Sequence, residues 1–111
     1  MDNFLTVHLN LIDCVHKYTI LKENYIEILN NSVIKIDPAS NEQIHINIYD
    51  LNKILKKINR FIEIIDDENF DKEKKDNIIR QLSEDFFDKI ETSYAGLNEE
   101  ILTFKNMFNT N

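Results

Sequence analysis

The 111-residue chain has one glycine, one proline and one cysteine, and each scarcity rules something out. A loop that cradles phosphate needs several glycines, because backbone N–H groups close on the ligand only where no Cβ intrudes. With Gly96 alone, P-loop and dinucleotide-binding readings fail. Cys14 has no second cysteine to meet, so no intrachain disulfide forms and nothing ties the sequence to an oxidising compartment. No apolar run approaches the ~20 residues that cross a bilayer, which argues against membrane insertion. The early stretch "FLTVHLNLIDCV" is interrupted by His8, Asn10 and Asp13 and follows no basic segment. A secretory signal would not tolerate those interruptions, so a cytoplasmic protein is expected. Positive charge is also in short supply, with 13 Lys and Arg against 20 Asp and Glu and a net charge of -7. A phosphate backbone is met by surplus Lys and Arg. Nucleic acid is therefore disfavoured as a partner, and a basic protein is favoured.

What the chain does have is helical periodicity, in a length that suits one domain. From about residue 3 to 30, Phe4, Val7, Leu11, Val15, Tyr18, Leu21, Tyr25, Ile28 and Leu29 recur every three or four positions and fall on one side of a helix. The polar cluster Asn30-Asn31-Ser32 ends it. Residues 33–48 then change character. Val33 to Asp37 is β-rich, Pro38 to Gln43 reads as a turn, and Ile44, Ile46 and Ile48 alternate with His45, Asn47 and Tyr49 in the period of two that marks a half-buried strand. A β-hairpin over about 33–48 is expected, laying its isoleucines on the helices.

Asp50 then reads as a helix N-cap, with Tyr49 and Ile54 as a hydrophobic staple and an apolar stripe through Leu51, Ile58 and Ile65. This predicts a helix over about 51–65. A last helical pattern runs over about 72–108, kinked or broken near Gly96, since an unbroken helix would place Leu102 among the acids of its outer side. The fold class expected is mainly α, a single-domain bundle of three or four helices with a β-hairpin inserted after the first helix.

No constellation of residues specifies a reaction. His8 and His16 differ by about 80° in direction on a helix, and Cys14 faces elsewhere, so these residues make no chelating cluster. Asp67, Asn69 and Asp71 match the opening ligands of a calcium loop, but Lys72 stands where glycine is needed and Ile78 where a bidentate glutamate is needed. No metal or cofactor is expected, and no enzymatic activity.

Surfaces carry the functional signal instead. Glu84, Asp88, Glu91 and Glu99, with Asp85 at their margin, share the outer side of the last helix and suit a basic partner. Lys53, Lys56, Lys57 and Arg60 share the outer side of the middle one. On the first helix Leu5, Leu9 and Ile12, extended by His16, form a second apolar row away from the inward stripe. A helix apolar on two sides must bury both, and either the hairpin or another subunit, a second copy included, would cover this row. The expected function is a small acidic protein-binding module, an inhibitor, immunity or antitoxin type of protein that occupies a basic partner. The alternative is a secretion or assembly chaperone, or a structural subunit, working through the row on the first helix.

Overall fold

The computed structural model describes residues 3–31 and 35–108. The protein is an all-helical three-helix bundle, with principal extents of 55 × 21 × 18 Å. Its first rod is α1 (Asn3–Asn30) and its second is α2 (Pro38–Asp66). The third is α3 (Lys72–Gln81), a π-helical turn (Leu82–Phe86) and α4 (Phe87–Phe108) in continuous succession. Among the described residues no helix is long and apolar enough to cross a membrane.

No strand occurs among the described residues, and the expected hairpin is not formed over the part of it that is described. Its first residues, Val33 and Ile34, lie outside the described residues, as does Ser32 before them. From Pro38 onward the segment is the opening of α2, and the cause is local. The Asp37 carboxylate accepts a hydrogen bond from the Ser40 N–H at 3.0 Å, and Pro38 occupies the first helical turn. There its missing N–H costs nothing and its fixed φ suits the helix. Asp50 is accordingly no N-cap but an exposed residue within α2. The isoleucines divide as a helix requires: Ile44 is buried, Ile48 is half-buried and Ile46 faces outward. Ile44 opens a run in which Leu51, Ile58 and Ile65 follow at seven-residue intervals, all buried, the interval that keeps one seam facing neighbouring helices.

The rods run up, down and up. His8 Nε2 lies 2.9 Å from Asp66 Oδ1, joining the start of α1 to the end of α2. The hydroxyls of Tyr18 and Tyr25 reach the carbonyls of Ile90 and Leu97 at 2.8 and 3.0 Å. Both pairs are seven residues apart in the same order, so α1 and α4 are parallel. These hydroxyls give two deeply buried rings a partner for their only polar atoms. A polar cluster sits around the second tyrosine. Its hydroxyl is 3.2 Å from Glu100 Oε1. The buried Asn47 amide donates to Glu100 Oε1 and, at 3.3 Å, to the Tyr25 hydroxyl, and Gln43 donates to Asn47 Oδ1 at 2.9 Å. Burial foremost, then the Glu100 carboxylate, holds the Tyr25 hydroxyl well above the usual phenol range. Residues from all three rods meet here, which helps fix the register of the seams between them.

The third rod departs from expectation in two places. Core positions Leu82, Phe86, Ile90 and Tyr94 are four apart, a spacing that drifts around an α-helix by about 40° per step. The wider π turn at Leu82–Phe86 takes up part of that drift. It holds Leu82 in the core and sets Phe86 edge-on to Phe61, ring centres 5.4 Å apart. At Gly96 there is no break: α4 runs through it, and Leu102 is exposed as an unbroken helix demands. A Cβ added at Gly96 would meet nothing within 4 Å. Gly96→Ala is expected to raise stability by about 0.5–1 kcal/mol through the helix penalty of glycine. The check is a higher urea midpoint at unchanged slope, and a lower midpoint would contradict the helical backbone there.

Candidate functional site

The side of α1 opposite its core stripe is the most unusual surface. Leu5, Leu9, Ile12 and Ile20 are 57%, 56%, 46% and 45% exposed, and His16, between the last two, is exposed as well. At 100° per residue they form one strip about 80° wide, centred roughly 180° from the line of Val7, Leu11 and Tyr18. Those three are buried. The polar strip beside the row is held by the Lys17–Asp13 ion pair at 3.1 Å. With α2 helical where the hairpin was expected, no described element of the chain covers the row. Ile20 escaped the sequence reading although it lies four residues beyond His16, the spacing that would have found it.

The five acids are all exposed but do not make one compact patch. Glu84 and Asp85 lie in the π turn and border a shallow hollow beside Lys57, Phe61 and Lys89. Asp85 pairs with Lys89 at 2.9 Å. Glu91 sits on the opposite flank, beside Asp13 and Lys17 of α1. Asp88 and Glu99 are exposed on α4 and border neither hollow. None of the ion pairs formed among the described residues uses Glu84, Asp88, Glu91 or Glu99.

Several other charged and reactive groups are engaged locally. On the basic side of α2, Lys53 lies over the Tyr49 ring at 5.3 Å and Lys57 over the Phe86 ring at 5.7 Å. Arg60 pairs with Glu63 at 3.3 Å. In the acidic connector, Asp67 accepts from the Asn69 N–H and closes the turn after α2, and Asp71 accepts from the Glu73 N–H and caps the start of α3. Among the described residues no group of three or more His, Cys, Asp and Glu is gathered to hold a metal ion. Cys14 is half-buried at the floor of a hollow of about 160 Å³ between α1 and α4. Burial first, and then the Asp13 carboxylate, pushes its thiol above the ordinary range, which suppresses the reactive thiolate. The hollow is smaller than the ~300 Å³ at which ligand pockets begin.

Comparison with family models, with curated proteins and with solved structures finds no match to this chain.

Proposed function

We propose that this protein works in the cytoplasm by binding another protein and performs no chemistry of its own, and that the outer row of α1 is the contact. The observation that carries this reading is the exposure of Leu5, Leu9, Ile12 and Ile20 on one line, facing away from a core that is already complete without them. A contiguous apolar strip on an otherwise charged surface is often a contact site. The row suits an assembly or secretion chaperone or a structural subunit. A second reading is an inhibitor, immunity or antitoxin type of protein that occupies a basic partner. What supports it is the net charge of -7 and the outward acids Glu84, Asp88 and Glu99, none of them used in internal ion pairs.

One pair of variants separates the two. The partner is first identified by affinity purification and mass spectrometry and then purified. Leu9→Asp, confirmed folded by circular dichroism, is expected to weaken binding at least a hundredfold. Reversal of Glu84, Asp88 and Glu91 to lysine is expected to change affinity less than threefold. The opposite ordering, with strong salt dependence of the association rate, would assign the contact to the acids and give the inhibitor reading the place of the first.

A further inference from the structure

The outer row of α1 does not end at Ile20. Glu23 and Glu27 continue it on the same azimuth, three and seven residues further on, and both are exposed. Neither enters an ion pair among the described residues. Their end of α1 also carries the partial negative charge of a helix C-terminus, and no basic residue occupies its last turn. One face of one helix thus carries Leu5, Leu9, Ile12 and Ile20, with His16 among them, over about 22 Å, and is acidic beyond.

We infer that the occupant of this face is a single amphipathic helix with an apolar stripe and with lysine or arginine concentrated at one end. The inference rests on the outer-row reading proposed above. A strip about 80° wide and several turns long is the footprint of one helix lying alongside another, not of a broad globular surface. A second copy of this chain is disfavoured by charge. Each copy carries -7, and parallel pairing would set Glu23 and Glu27 against their own counterparts. A basic helix end instead meets two carboxylates and the negative end of the α1 dipole, so attraction and apolar contact fix one orientation together.

A displayed library of helical peptides of about 18 residues, roughly 27 Å long, randomised in charge and apolar pattern, tests this against the full-length protein. Enriched peptides are expected to show apolar residues at helical spacing with Lys or Arg clustered at one end. They should bind the parent at least tenfold tighter than either Leu9→Asp or the Glu23→Lys/Glu27→Lys double variant, each checked for folding. Peptides without that positive charge, or bound equally by the double variant, overturn the basic-helix inference. The outer-row reading then survives through its dependence on Leu9. Peptides bound equally by Leu9→Asp remove both. An absence of enriched peptides also overturns the inference, and if sedimentation then shows the parent self-associating in a way that Leu9→Asp reverses, the occupant is a second copy.

Discussion

Leu11→Asp is expected to unfold the protein, and Leu9→Asp, two residues away on the same helix, to leave it folded. Leu11 is completely buried whereas Leu9 is 56% exposed, so one turn of α1 holds both extremes. Truncating a buried leucine to alanine costs about 2–5 kcal/mol, and a carboxylate in its place adds several more for desolvation. Together these match the whole stability of about 5–15 kcal/mol that a domain of this size possesses. At position 9 the new carboxylate stays in water, and the loss of helix propensity and partial apolar contact is under about 1 kcal/mol. Far-UV circular dichroism and urea melts check both. Unfolding by Leu9→Asp would mean that the outer row is internal in solution, and every reading built on its exposure would fall with it.

The second large effect separates two isoleucines that a strand would place on one face. Ile44→Asn is expected to cost about 3–5 kcal/mol, because it removes a fully buried side chain and leaves an amide without partners in the core. Ile46→Asn changes stability by no more than about 0.5 kcal/mol, since Ile46 is 44% exposed on the outside of α2. Denaturant midpoints decide the matter. Equal, large losses from both variants are the signature of a sheet face, and they would contradict the helical start of α2.

That pair also shows why residues 33–48 misled. Positions i and i+4 fall on the same face of a helix and of a strand alike, so Ile44 and Ile48 fit either pattern. Only Ile46 discriminates, and an exposed isoleucine on a helix looks like an inward one on a strand. The decisive local signal was Asp37-Pro38, a cap followed by a proline at the first helical turn, which is easily read as a turn when the segment is already taken for a hairpin. Once α2 begins there, Asp50 has no cap to be. Long, strongly periodic α1 was legible from Val7 to Ile28, because six buried residues along it repeat the same face. The π turn was hidden because its only trace is a run of four-residue steps from Leu82 to Tyr94. The helix through Gly96 was hidden too, since an exposed glycine needs no special conformation and tells little about where the chain goes.

The surfaces divide in the same way. The exposure of Glu84, Asp88, Glu91 and Glu99 follows from their place opposite an apolar stripe, which the sequence contains. Whether the Leu5, Leu9 and Ile12 row is covered depends on which element packs against α1, and that is a tertiary fact. The buried Asn47 was unreadable for a related reason. Its partners, Tyr25 and Glu100, lie 22 and 53 residues away along the chain, and only the assembled bundle brings them together.

Methyl-detected NMR of the labelled protein, titrated with its purified partner, tests the outer-row contact most directly. Leucine and isoleucine methyls report both sides of α1 at once, with Leu5, Leu9, Ile12 and Ile20 outside and Leu11 and Leu21 within the core. The outer-row account predicts large shifts or broadening at Leu5, Leu9, Ile12 and Ile20, little change at Leu11 and Leu21, and none at Ile78 and Ile79 near the π turn. Silent outer-row methyls in a saturated complex, with changes concentrated beside Glu84 and Asp85, would contradict it.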